Sequence, residues 1–260
     1  MLQLKIRKGL CLGQISTYVA YVMPSNALTV IDAEIGPSKD ITWVPLSYTL
    51  ASSFAFLLVG RLSDMFDRRW FFIGGNFIAL LGAIVSATAQ SVNALIAGTA
   101  LSGLATAVQI SFTVAISELV PTKHRPMWIS GIFASAISIN VFGPVIVQAM
   151  QIHTKPGWRW SYYLDIIITF VAVLLFYFCY HPPGFELLHK NRSKIAQLKR
   201  VDFIGTLLYT AGLILLQLGV SWGGVSYPWK SAHVISTIVT GAVALAFFIY
   251  YGEFETWTDL

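Results

Sequence analysis

Apolar residues in this chain come in long continuous runs separated by short polar stretches, rather than on one face of each element. A helix that crosses roughly 30 Å of hydrocarbon needs about 20 mainly apolar residues. Runs of that kind fall at about 9–31, 41–61, 70–90, 92–117, 127–150, 162–180, 203–221 and 232–251. Lipid offers the backbone no hydrogen-bond partner, so only helices and closed barrels span it, and the short alternating segments of a barrel are absent from the sequence. The pattern predicts an all-α, polytopic membrane protein with about eight transmembrane helices. Small residues at Gly98 and Ser102, and at Gly74, Gly75 and Gly82, offer places where helices can approach closely. Pro24 and Pro144 fall inside spans, where neighbouring helices can satisfy the freed backbone groups.

Composition agrees with this pattern and removes one alternative. Of 260 residues, 56% are hydrophobic and only 11% charged, whereas a soluble domain carries roughly 25% charged residues to face water. The formal net charge of +5 could suggest nucleic acid, but that requires a basic patch on a folded face. Here the basic residues sit in short runs between apolar segments, so no nucleic-acid partner is expected. With the N-terminus placed in the cytoplasm, the inner segments hold Lys5, Arg7, Lys8, Arg61, Arg68, Arg69, Lys123, Arg125, Lys190, Arg192, Lys194, Lys199 and Arg200. The outer segments hold only Lys39, Lys155, Arg159 and Lys230. This positive-inside bias puts both termini in the cytoplasm. Trp43, Trp158, Trp160, Trp222 and Trp229 then cluster at the outer boundary, where indoles prefer to sit.

Cys11 and Cys179 lie in apolar runs and read as packing residues, not as a disulfide. No metal-ligand spacing and no cofactor motif is present, so neither a metal nor a cofactor is expected. Residues 181–200, HPPGFELLHKNRSKIAQLKR, begin with a Pro-Pro break and read as a solvated cytoplasmic linker.

The most informative string is Gly60 to Trp70, GRLSDMFDRRW, between the second and third spans. It resembles the signature loop of the major facilitator superfamily through Gly60, Leu62, Asp64, Arg68 and Arg69. It departs at Asp67, where the family prefers glycine; a turn needing positive φ would be strained there. Charges so arranged can act as a latch between helix bundles, with Asp64 accepting from helix N-terminal donors and the arginines holding carboxylates or phosphates. Glu118 and Arg125 face each other across the short turn after the fourth span. Gly143-Pro144 in the fifth span resembles the Gly-Pro motif of antiporters in that superfamily, although Val147 and Gln148 stand where a Gly pair is usual. GWRWSYYLDI, Gly157 to Ile166, and the stretch Val201 to Trp229 resemble the sixth span and the extra seventh span of fourteen-span fungal drug:proton antiporters. The whole is most similar to the fungal trichothecene efflux pump family, with siderophore transporters a near neighbour.

The resemblance implies a six-helix transmembrane half over 1–180, the basic linker over 181–200, and two additional helices over 201–260. It implies a plasma-membrane transporter of a small amphipathic organic molecule, with the lipid bilayer as its other partner. Six further spans would then be needed for a second half, so the chain reads as a truncated product, or less readily as half of a two-copy carrier. Many proton-coupled relatives carry an arginine in the fourth span four residues before the glycine that is Gly103 here; this chain has Thr99. Asp165, Glu118 and Asp202 are all read near span ends, which leaves no intramembrane acid for a proton relay. Polar span residues that could meet a substrate are Tyr18, Tyr21, Asn26, Tyr48, Gln109, Asn140 and Gln148, of which Gln109 and Asn140 are preferred. A membrane receptor without flux is the alternative from another class. An enzyme is not expected, since no paired mid-membrane carboxylates, His cluster or nucleophile elbow is found.

Overall fold

A computed structural model describes residues 2–38, 40–65, 68–113, 116, 120–180, 203–224 and 226–258, without the side chains of 2–7, 60–65, 68, 203–204 and 253–258. The described elements are helices α1 (Leu2–Asn26), α2 (Leu28–Ile35), α3 (Trp43–Met65), α4 (Arg68–Ala87), α5 (Val92–Ile110), α6 (Arg125–His153), α7 (Arg159–Cys179), α8 (Phe203–Trp222) and α9 (Ala232–Thr258). Each predicted run thus became a helix, and the first broke in two at Ala27, just beyond Pro24. Among the described residues, six segments are long and apolar enough to cross a membrane: Arg69–Ala87, Val92–Ile110, Thr122–His153, Arg159–Cys179, Gly205–Trp222 and Ala232–Gly252. A shorter apolar stretch, Trp43–Val59, lies in α3. The protein is an all-α polytopic membrane protein.

The chain divides into two compact units, Met1–Asn191 and Arg192–Leu260. In the first, α5 packs between α3 and α4, and α1 packs against α6 and α7, while α4 meets α7 and α1 meets α5. Exchanging α1 with α5, α3 with α6, and α4 with α7 maps these close pairs onto one another. That is the neighbour pattern of a three-plus-three repeat, the element from which transporter halves are built. Small residues set the closest approaches. A Cβ on Gly98 would meet Ser86 N at 2.9 Å and Gly82 O at 3.0 Å, so α4 and α5 touch backbone to backbone. Gly75 lies against the Val108 side chain, whereas Gly74 faces nothing within 4 Å and is no packing glycine.

Two apolar clusters lie along the axis of this unit. One gathers Leu10, Phe72, Phe112, Ile132, Phe176 and Tyr180 near the α3–α4 turn, with Phe72 stacked on Phe176 at 5.5 Å. The other gathers Val19, Met23, Ile31, Leu95, Val147 and Trp158 toward the opposite end. Between them the sequence positions of Ser16, Asn76, Gln109 and Thr169 form a buried polar layer. The second unit is the hairpin of α8 and α9, in which Gly241 lies against Leu216 N and Gly212 O, at 2.7 and 2.9 Å from a built Cβ. Cys11 and Cys179 are free thiols.

Candidate functional site

The polar layer is one connected hydrogen-bond chain over five helices. Thr106 on α5 donates to the Tyr48 hydroxyl at 2.7 Å, and Tyr48 on α3 donates to the Thr17 carbonyl at 3.0 Å. The Thr17 hydroxyl donates to Gln109 Oε1 at 2.8 Å. Gln109 Nε2 then donates to Asn76 Oδ1 on α4 at 3.2 Å and to Ser16 Oγ on α1 at 3.3 Å. Ser16 in turn donates to Asp165 Oδ1 on α7 at 2.7 Å and stands 2.7 Å from Thr169 Oγ1. In a bilayer such side chains must find partners on neighbouring helices. Their placement follows from small neighbours: a Cβ on Gly103 would run into the Tyr48 carbonyl, so α5 comes close enough to α3 for Thr106 to reach Tyr48.

Asp165 lies toward one end of its helix, as the sequence suggests, yet its side chain is buried. Helix α7 begins at Arg159, three residues earlier than the apolar run suggested, which moves Asp165 into the second turn. A clamp holds the helix start. Trp158 Nε1 donates to Glu34 Oε2 at 2.7 Å, and Arg159 pairs with Glu34 Oε1 at 2.6 Å and donates to the Ala89 carbonyl at 3.3 Å. The guanidinium also lies 4.3 Å over the Trp158 ring. Asp165, in the following turn, is 1% exposed.

Gln109 has both amide atoms engaged inside the layer, and a ligand would have to replace one of these partners. Asn140 is exposed on α6 and donates to the Ala136 carbonyl at 3.2 Å. The structure therefore does not bring the two preferred residues into one hydrogen-bonded group. Tyr21 stacks on Tyr48 at 4.8 Å, Asn26 bonds its own helix, and Gln148 is exposed. Thr99 is buried and pairs with Ser47 Oγ on α3 at 2.9 Å. Gly143 lets α6 approach α1 at Val22, 3.4 Å from a built Cβ, and Pro144 follows within the unbroken helix.

At the α3–α4 end, Gly60, Leu62 and Asp64 fall in the last turns of α3 and Arg68 opens α4. Their side chains, Asp67 and Glu118 lie outside the described residues. Arg69 donates to the Tyr177 carbonyl at 2.7 Å and lies 5.6 Å over the Tyr177 ring, which ties α4 to the end of α7. Arg125 Nε donates to the Val120 carbonyl at 3.0 Å and so holds the turn before α6.

The sequence search passed over Ser16, Thr17, Asn76, Thr106 and Thr169, because single small polar residues in apolar runs are common. Their joint signal was positional: each sits inside its run, away from both ends.

A six-helix membrane unit with this exchange pattern and a buried polar layer has the build of a major facilitator half. The comparisons with known proteins name the group: the profile of the fungal trichothecene efflux pump family matches residues 6–258. The chain belongs to that family. It is 35% identical over 245 residues to the trichothecene efflux pump TRI12 of Trichoderma arundinaceum, covering 94% of this chain and 40% of the relative. It is 36% identical over 239 residues to TRI12 of Fusarium sporotrichioides, covering 91% of this chain and 40% of the relative. It is 29% identical over 245 residues to the MFS-type efflux pump MFS1 of Arthroderma benhamiae, covering 94% and 45%. The chain thus spans about two-fifths of the length of these relatives.

Proposed function

We propose that the chain is the front part of an efflux transporter that moves a small amphipathic organic compound, such as a fungal secondary metabolite, out of the cell across the plasma membrane. The observation that carries this is the family match over 6–258 together with the ordered signature Gly60, Leu62, Asp64, Arg68 and Arg69. Residues 1–180 serve as one rocking half, 181–200 as the cytoplasmic linker and 201–260 as two added helices, with both termini in the cytoplasm. The partner half is either six further spans or a second copy of the chain. Arg69 and Arg125 are supported as parts of the latch by their grip on Tyr177 and Val120 at the signature-loop end. Asp64, Arg68 and Glu118 complete it. Gly103, Gly143 and Pro144 shape the helix contacts around the path. Asn140 offers its amide to a substrate directly, and Gln109 does so by giving up an internal partner.

Efflux from a pump-deficient yeast loaded with a radiolabelled trichothecene tests this reading, alongside an immunoblot of the source cells. A band well above the calculated 28.7 kDa directs the assay to the longer product. Cells expressing that product are expected to clear the label, and Asp64→Asn to abolish clearance. Label that binds but never leaves would favour a receptor and overturn the transporter reading. Unchanged clearance in Gln109→Ala and Asn140→Ala would remove both from the substrate path.

A further inference from the structure

Gln14 is a buried polar group that the hydrogen-bond chain leaves out. It is 0% exposed, and neither its Nε2 nor its Oε1 has a hydrogen-bond partner. Gln109, also buried, has both amide atoms engaged. A buried amide without partners keeps its full desolvation penalty, whereas an apolar side chain of the same shape incurs none. Packing alone therefore favours leucine or methionine at this position, and the amide needs another reason to be there.

The neighbours of Gln14 on α1 say what kind of partner suits it. Leu10, one turn earlier, belongs to the apolar cluster of Phe72 and Phe112. Thr17, one turn later, bonds Gln109 in the polar layer. The amide thus sits at the border between the two. At 3.6 residues per turn, Gln14, Tyr18 and Tyr21 fall within about 60° of one another around the helix. The other faces of α1 are committed. Gly9 lies against Leu175 of α7, Gly13 against Asn76 of α4, and Val22 against Gly143 of α6, while Ser16 bonds Asp165. Tyr18 and Tyr21 are half-buried, and the Tyr21 ring stacks on Tyr48 at 4.8 Å. From Gly9 to Ile31 the chain has no charged residue.

We propose that Gln14 is a binding residue for the transported compound, uncovered when α1 and its neighbours part, with Tyr18 and Tyr21 beside it as apolar ring faces. An amide offers N–H donors and an acceptor oxygen in one plane. That set matches a neutral, oxygenated carbocycle that presents a hydroxyl near a carbonyl or ether oxygen. The hydroxyl donates to Oε1, and the second oxygen accepts from Nε2. The tyrosine rings suit the hydrocarbon skeleton between such groups. Gln109 must give up an internal partner to reach such a molecule, whereas Gln14 has none to give up. The inference rests on the transporter reading for the class of ligand and for the movement that uncovers the amide.

Equilibrium binding to the native-length product in lipid nanodiscs tests it, beside thermal unfolding in detergent. The probes are the radiolabelled trichothecene of the efflux assay with its hydroxyls free and the same compound acetylated. Gln14→Leu should unfold at or above the parent midpoint, because it removes an unpaired amide. It should bind the hydroxylated probe about five- to tenfold more weakly and lose less on the acetylated one, so that the parent's preference between them collapses. Gln14→Met, matched in length, should behave alike, and it decides the matter if Gln14→Leu fails to insert. If both variants unfold well below the parent, the amide is structural and the assignment is overturned. A parent that binds neither probe, or variants that bind both as the parent does, would also overturn it. Binding without efflux in the yeast assay would fault the transporter reading and leave Gln14 in its role, so the two failures are distinguishable.

Discussion

The two units of this chain solve the same membrane problem by different means. The six-helix unit buries a polar layer of Ser16, Thr17, Asn76, Thr106, Gln109, Asp165 and Thr169 that is linked by hydrogen bonds across helices as well as within them. In the α8–α9 hairpin the described Thr237 and Thr240 hydroxyls bond back to their own helix, and Gly241 lies against the Leu216 and Gly212 backbones. Side-chain hydrogen bonds between helices specify one arrangement, because each donor needs its own acceptor. Glycine contacts only permit an approach. The first unit thus carries a cross-helix specification that glycine contacts alone, as between Gly241 and the α8 backbone, do not supply.

The largest effects should come where the two units share a device. Gly98→Leu would drive a side chain into the Ser86 and Gly82 backbones, and Gly241→Leu into those of Leu216 and Gly212. Overpacking against backbone costs about 1–3 kcal/mol and more where nothing can yield. Gly98→Leu is expected to lower the thermal unfolding midpoint of the whole six-helix unit in detergent. Gly241→Leu should loosen only α8 and α9, read by proteolysis between them. Loss of the six-helix unit in Gly241→Leu would mean that the two units do not fold separately.

Next comes the polar layer itself. Gln109→Leu leaves Thr17, Ser16 and Asn76 each short of a partner. Interhelical hydrogen bonds in bilayers average about 0.6 kcal/mol, reaching roughly 1–2 kcal/mol at best, so a residue that joins three helices should cost about 2 kcal/mol. A variant as stable as the parent in detergent unfolding would show that the layer is decoration rather than specification.

These differences also mark what the sequence could reveal. The helices were legible because lipid dictates twenty-residue apolar runs, and the Gly82 and Gly98 contact because small residues leave a visible spacing. The family was legible from Gly60 to Trp70. The polar layer was not, since Ser16 or Thr169 alone is an ordinary residue in a span and gains meaning only from the partner opposite. Asp165 was missed for a related reason. Its burial comes from a helix far away in sequence, α1, whose Ser16 bonds its Oδ1. No local pattern carries that information.

The clamp gives a smaller and cleaner test. Glu34 is about half exposed, at 49% for its side chain, so its ion pair with Arg159 is screened by water. Exposed pairs contribute about 0–1 kcal/mol. Glu34→Gln keeps a hydrogen-bond acceptor for Trp158 and removes the charge. It should cost less than about 1 kcal/mol, with the loss shrinking further in high salt. A salt-independent loss in detergent unfolding would instead assign the effect to the Trp158 hydrogen bond.

The smallest expected effect separates the two units most sharply, because it uses one substitution in both. Thr17→Val removes the donor to Gln109 Oε1 in the six-helix unit, whereas Thr240→Val removes only bonds to the Ser236 and Thr237 carbonyls of its own helix. Those carbonyls already serve the backbone ladder, so a back-bonding hydroxyl adds little there and tends to bend the helix. Thr240→Val should therefore leave hairpin stability within about 0.5 kcal/mol of the parent, while Thr17→Val costs about 1 kcal/mol. Equal losses at both positions, measured by the same detergent unfolding, would mean that the hairpin hydroxyls also serve partners across helices. The contrast between a specified half and a permissive hairpin would then have to be withdrawn.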